Sequence, residues 1–77
     1  MKNDKKIIES LKNVFENNKI NEKSSSENIN EWDSVAMINI IMEIEKSFEI
    51  KIDIDQIEKI KSYESIKEIL INKGVKF

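Results

Sequence analysis

The residue best placed to carry chemistry is Ser34, in the run Trp32-Asp33-Ser34-Val35. Trp32 is the only tryptophan and stands directly before an Asp-Ser pair, where it is expected to anchor the loop. Read as a dipeptide, that pair is an ordinary helix start, one of the two side chains capping the first turn. The chain has no His and no Cys, so the usual general base and the usual thiol nucleophile are absent. Disulfides and thiolate or imidazole metal sites are excluded with them. Carboxylates are plentiful, but nothing in their spacing forces two of them into one shaped pocket, and a solvated acidic face accounts for them. Calcium binding through Asp53 and Asp55 fails on ligand count. Asp53-Ile54-Asp55-Gln56-Ile57-Glu58 lacks the central glycine and the alternating oxygen donors of an EF-hand loop.

Ser34 stands where an irregular stretch enters the most informative helix. Val35 to about Ser47 is helical by period, with Met37, Ile40, Ile41, Ile44 and Phe48 on one side at about 100° per residue. Val35, Ile38 and Met42 cluster on a nearly opposite side. A surface helix of a globular domain needs one apolar stripe, so the second must be covered by the rest of the domain or by a partner. Ile7, Ile8, Leu11, Val14 and Phe15 mark an earlier helix, capped by Asn3 or Asp4 and interrupted by Asn17 and Asn18. Residues 18–31 have no sustained period, and Ser24, Ser25 and Ser26 mark a loop. Ile20 and Ile29 are expected to pin this loop to the core. A structureless connection this long in so small a domain hints at function.

Phe48-Glu49-Ile50-Lys51-Ile52-Asp53-Ile54 alternates like a strand, but no second strand exists to pair with it. It is expected to be an extended linker pinned by its isoleucines. Asp53 or Asp55 is then a cap for a short helix carrying Ile57 and Ile60, with Gln56 or Glu58 three residues on. Ser65 with Glu68 has capping-box spacing for a last helix, and Ser62 is another plausible cap. That helix turns Ile66, Ile69 and Leu70 inward, joined by Tyr63, and Gly74 suits its C′ position. The expectation is one all-α domain over residues 1–77, a small bundle of three longer helices and one short one, with residues 74–77 frayed.

Length and composition agree with that. The 77 residues are 39% apolar and 36% charged, with no Pro and one Gly, a poor supply for the tight turns of an all-β design. The net charge of −2 hides a pattern: residues 1–30 carry +1, residues 31–58 carry −6 and residues 59–77 carry +3. An acidic central helix without a single Arg argues against nucleic acid, where phosphate neutralisation supplies most of the affinity. It disfavours a compact helix-turn-helix DNA binder for the same reason and suits a basic protein partner better. No apolar run reaches the roughly 18 residues of a membrane span, and no signal-peptide apolar block follows the N-terminus. The expected location is the cytoplasm, without stable membrane insertion.

With these residues on view, the sequence resembles the acyl carrier protein family over nearly the whole chain. The Asp33-Ser34-Val35 triplet corresponds to the family's Asp-Ser-Leu motif. Ile44-Glu45-Lys46-Ser47-Phe48 is similar to the Leu-Glu-(acid)-x-Phe ending of the family's second helix. Ile52 falls where the family has an apolar residue in its third loop, and residues 58–70 align without gaps. Weak alone, the triplet gains weight from length, helix order and the spacing to Phe48.

The resemblance implies a carrier rather than an enzyme. Ser34 would bear a 4′-phosphopantetheine arm, installed from coenzyme A by a separate phosphopantetheinyl transferase using Mg²⁺. The arm's thiol would hold an acyl or aminoacyl group as a thioester, which agrees with a chain that owns no Cys. A loading ligase and downstream acyltransferases would be the partners, in fatty-acid, polyketide, cell-envelope or other specialised biosynthesis, and the carrier would act as a monomer. Asp33 and Val35 would complete the modification motif. Val35, Ile38 and Met42 would make apolar partner contacts, Glu43 and Glu45 would meet partner Arg and Lys, and Ile52 and Glu58 would extend the surface. Ala36, Asn39 and Lys46 stand where fatty-acid-synthesis carriers have acids. Trp32 before the Asp-Ser pair is instead similar to specialised stand-alone carriers, including D-alanyl carrier proteins. The competing reading is a small helical interaction module that is never modified, its spare stripe a docking face.

Overall fold

The computed structural model describes residues 2–16 and 19–77. Helix α1 spans Lys2–Phe15, α2 spans Ser34–Phe48 and α3 spans Tyr63–Asn72, with a six-residue 3-10 helix at Ile54–Lys59 between α2 and α3. No strand occurs among the described residues, only an isolated antiparallel bridge between Ser25 and Ser62. The chain is the small all-α bundle its periodicities predict.

Helices α1 and α2 form the main packed pair. They run antiparallel, because early residues of one meet late residues of the other. Lys6 Nζ donates to the Ser47 carbonyl at 3.2 Å and lies 5.2 Å from the centre of the Phe48 ring. Further along, Asn13 Nδ2 donates to Glu43 Oε1 at 3.2 Å. Ile7, Leu11, Ile40 and Ile44 are fully buried between them, with Ile60, Ile66 and Leu70 closing the core from the C-terminal half. One polar pair sits in the seam, where the Ser10 and Ser47 hydroxyls lie 3.2 Å apart. A buried hydroxyl needs such a partner.

Asn3 and Asp4 are not caps. The helix already runs from Lys2, so both residues lie inside its first turn. The Asp4 carboxylate instead joins α1 to α3, accepting a hydrogen bond from the Tyr63 hydroxyl and pairing with Lys67 Nζ at 3.1 Å. The Tyr63 hydrogen bond holds the Asp4 carboxyl below its ordinary value of 3.8, against the opposing effect of burial and with help from Lys67. Burial, and then the same carboxylate, push the Tyr63 hydroxyl well above the usual phenol range. A carboxylate with a depressed folded value lends its full stability above the unfolded value and loses it as pH falls through the folded one. Asp4→Asn is therefore expected to be less stable than the wild type at neutral pH. The gap should narrow as pH drops below about 4. Urea midpoints at several pH values check this, and a gap that does not change with pH contradicts it.

At the other end of α1, Glu16 adopts φ +50° and its N–H returns to the Lys12 carbonyl at 2.7 Å. The expected interruption at Asn17 and Asn18 lies outside the described residues. The connection from there to α2 is irregular but not structureless. Ile20 and Ile29 are buried, as expected. Ser24 is buried as well, and its Oγ accepts from the Asn21 N–H at 2.9 Å. Two backbone bonds, Ser26 N–H to Lys61 O at 2.8 Å and Tyr63 N–H to Ser24 O at 2.9 Å, stitch the loop to the start of α3. These bonds satisfy main-chain groups that local periodicity leaves unassigned.

Helix α2 ends on Glu49 in the left-handed conformation, φ +54°. The alternating segment after it is an extended linker with no strand, but its isoleucines are not all pins. Ile52 is buried, Ile50 is half-buried, and Ile54 is 71% exposed. The short helix that follows is 3-10 rather than α, and its N-cap residue, Asp53, makes no side-chain capping bond. Ile60 is fully buried just beyond it.

The α3 cap is Ser62, not Ser65. Ser62 Oγ accepts from the Ser65 N–H at 3.0 Å, and Ser65 Oγ accepts from the Ser62 N–H at 3.1 Å. Ser65 thus takes the reciprocal place that Glu or Gln holds in the common capping box. At the far end, Gly74 adopts φ +93°. Its N–H bonds Ile71 O and the Val75 N–H bonds Leu70 O, both at 3.0 Å. This is a Schellman motif, which requires the left-handed conformation at Gly74. The expected fraying of residues 74–77 is replaced by docking. Val75 and Phe77 pack on the core, Lys67 Nζ lies 5.0 Å from the centre of the Phe77 ring, and Asn3 Nδ2 donates to the Lys76 carbonyl at 2.6 Å.

Candidate functional site

Ser34 is the first residue of α2 and is exposed. Asp33, immediately before it, is the N-cap. Its backbone is extended (φ −108°, ψ −169°), and its Oδ1 accepts from the Ala36 N–H at 2.9 Å. The Asp33 carbonyl accepts the first helical bond, from Met37 N–H at 3.0 Å. The division of labour in the Asp-Ser pair is thereby fixed: Asp33 caps, and the Ser34 hydroxyl is left for solvent. Free N–H groups of a helix's first turn create a favourable field for a phosphate ester.

The rest of the site follows from the helical period. Val35, Ile38 and Met42 are 66%, 44% and 61% exposed. Ile40, Ile41 and Ile44, half a turn away, are buried with Ala36. The spare stripe is thus not covered by the domain, and it starts beside Ser34. At its far end, Met42, Glu45, Lys46, Glu49, Ile50 and Lys51 line a shallow open groove.

The other expected partner contacts divide. Glu58 is exposed on the 3-10 helix. Glu43 lies on the α1 side of α2 and holds Asn13. Glu45 is half-buried, and its Oε2 accepts from the Ile52 N–H at 2.8 Å, which fixes the linker to α2. Ile52 itself is only 7% exposed and belongs to the core, so its side chain does not extend a docking surface. Ile52 turns inward although Ile54, in the same alternating phase, is the exposed isoleucine of the linker.

Two positions gain a role that sequence alone does not assign. The Glu45 bond to Ile52 joins a helix to a main-chain N–H seven residues later. Trp32 is 4% exposed, and its indole Nε1 donates to the Ile60 carbonyl at 2.8 Å. Its ring lies 5.2 Å from that of Phe15. A buried indole requires an acceptor, and the only Trp of the chain, set among polar residues, is buried here as an anchor. The acceptor, a main-chain carbonyl 28 residues away, carries no side-chain signature.

Among the described residues no group of three or more carboxylates gathers to hold a metal ion. Among the same residues no helix is long and apolar enough to cross a membrane.

The fold and this site define a small helical bundle that offers a serine at the head of its second helix, beside an uncovered apolar stripe. No protein-family model, curated protein or solved structure matches the chain.

Proposed function

We propose that this chain is a carrier protein of the acyl carrier type, bearing a 4′-phosphopantetheine arm on Ser34. The observation that carries the reading is the exposure of Ser34 at the first turn of α2, with its hydroxyl not spent on the cap. The residues present suit the group. A phosphodiester on Ser34 would sit in the favourable potential of the α2 N-terminus, worth about 0.3–1 kcal/mol at an exposed site. The arm, once attached, supplies the thiol that holds acyl or aminoacyl cargo as a thioester. The chain itself performs no chemistry. It presents the Ser34 hydroxyl to a transferase that takes the arm from coenzyme A, and afterwards it addresses the loaded arm to ligases and acyltransferases.

The address is the stripe of Val35, Ile38 and Met42, with the exposed Glu58 available to meet basic groups on the partner, while Glu45 is engaged by the Ile52 N–H. Such charges mainly set encounter rate and register. With Ile52 in the core and Glu43 turned to Asn13, the docking surface is narrower than the family likeness implies. The fold leaves the cargo open. Fatty-acid, polyketide and cell-envelope roles all fit, and Ala36, Asn39 and Lys46 favour a specialised carrier over a fatty-acid-synthesis one. The cytoplasm is the compartment this reading requires, since coenzyme A and the transferase reside there.

Co-expression with a broad-specificity phosphopantetheinyl transferase tests the proposal. The intact mass of the wild type should rise by one arm, and Ser34→Ala should gain nothing. A wild type that gains no mass in the presence of an active transferase and coenzyme A would instead be an unmodified interaction module that docks through the same stripe.

A further inference from the structure

We propose that Trp32 is the positioning residue for Ser34, holding the entry to α2 on the joint between the 3-10 helix and α3. The inference rests on the carrier reading of Ser34 and adds the residue that governs how that hydroxyl is offered.

The chain reaches Ser34 from a long irregular loop, and α2 is fixed to the core only from Ala36 inward. Asp33 fixes the first turn through its cap on the Ala36 N–H and through its carbonyl, which takes the Met37 N–H. Both work only while the Asp33 backbone stays extended, and that backbone is held by its own N–H on Glu31 O at 2.9 Å and by the anchored Trp32 before it. Trp32 is held on three sides: its own N–H bonds Ile29 O at 3.1 Å, its indole N–H bonds Ile60 O at 2.8 Å, and its ring rests on Phe15. The Ile60 carbonyl is itself well placed to serve as a fixed point, because the Ile60 side chain is fully buried and its N–H closes the 3-10 helix on Ile57 O. Two residues of chain reach at most about 7 Å, so the indole anchor is passed to Ser34 with little slack. Neither Trp32 nor Ile60 reaches the Ser34 hydroxyl, and the effect on it runs through the Asp33 cap.

A nucleophile displaced by a fraction of an ångström reacts more slowly without being bound more weakly. Loss of the indole N–H should therefore lower the kcat of arm transfer and leave KM nearly unchanged. The test uses the full chain, a purified transferase and coenzyme A, and compares wild type, Trp32→Phe and Phe15→Leu. Both variants loosen the same ring contact, and only the first removes the bond to Ile60. The expected result is a kcat about fivefold lower for Trp32→Phe, the effect of one buried hydrogen bond, with KM within about twofold. Phe15→Leu, which keeps the indole bond, should lower kcat less than Trp32→Phe does. Amide exchange at Ala36 and Met37, whose N–H groups bond Asp33, should speed up most in Trp32→Phe. Benzothienylalanine at position 32 keeps the ring shape with sulfur in place of N–H, and it should reproduce the Trp32→Phe kinetics even if the phenylalanine variant folds poorly. Equal kcat for the three chains, with unchanged exchange at Ala36 and Met37, overturns the proposal. If the wild type accepts no arm, the carrier reading fails by itself, and the exchange comparison still decides whether Trp32 holds the α2 entry.

Discussion

Ile44→Ala is expected to remove about 2–5 kcal/mol of stability. Ile44 is fully buried at the centre of α2, facing α1 and the residues of the C-terminal half. Truncation deletes three carbons and leaves a space that the helices on either side cannot easily close, so the cavity adds to the lost transfer energy. A chain of 77 residues has of the order of 4–12 kcal/mol of stability in all, so one such change removes at least about a sixth of it. The urea midpoint should fall sharply with little change in slope, as for a mutation that alters stability and not the denatured state. Met42→Ala, on the opposite side of the same helix, should cost less than about 0.5 kcal/mol. Similar costs at the two positions would mean that the two stripes of α2 are not core and surface.

Met42→Glu is expected to raise the transferase KM about 30-fold while leaving the fold intact. The side chain is 61% exposed at the far end of the spare stripe, beside the groove. A glutamate there costs a partner both the apolar contact and the desolvation of a new, unpaired charge. Together these are worth about 2 kcal/mol, which is roughly 30-fold in affinity. The melting temperature and the near-ultraviolet circular dichroism should match the wild type. A variant that loses its cooperative melt shows the stripe to be core. A variant with unchanged KM shows that the transferase docks elsewhere. The predicted change in KM at Met42 and in kcat at Trp32 separates recognition from presentation on one helix.

The sequence carried most of the architecture because the helices are strongly periodic. The core stripe of α2 and its exposed counterpart, the burial of Ile20, Ile29 and Tyr63, and the turn at Gly74 all follow from spacing and from residue type. Spacing placed the Asp33-Ser34 pair at the start of α2 but left open which of the two caps it, and the Asp33 bond to the Ala36 N–H decides that. What stayed hidden is tertiary. Asp4 has the composition of a cap, but Tyr63 and Lys67, about sixty residues away, claim its carboxylate. Ser65 with Glu68 and Ser62 with Ser65 both have the spacing of a capping box, and only the bond from the Tyr63 N–H to Ser24 O fixes where α3 begins. Ile52 and Ile54 share one alternating phase, and Glu45 decides between them by taking the Ile52 N–H. Trp32 was legible as an anchor but its acceptor was not, because a main-chain carbonyl leaves no mark on the sequence.

The most direct test of the carrier account is to locate the modification. Purified chain is incubated with transferase, Mg²⁺ and coenzyme A, digested, and sequenced by tandem mass spectrometry. The account predicts one arm per chain, carried by the peptide that contains Ser34 and released from that residue as the phosphoester fragments. An arm found on Ser24, Ser25, Ser26 or any other hydroxyl, or a chain that stays unmodified beside a carrier that the same enzyme converts fully, would contradict it.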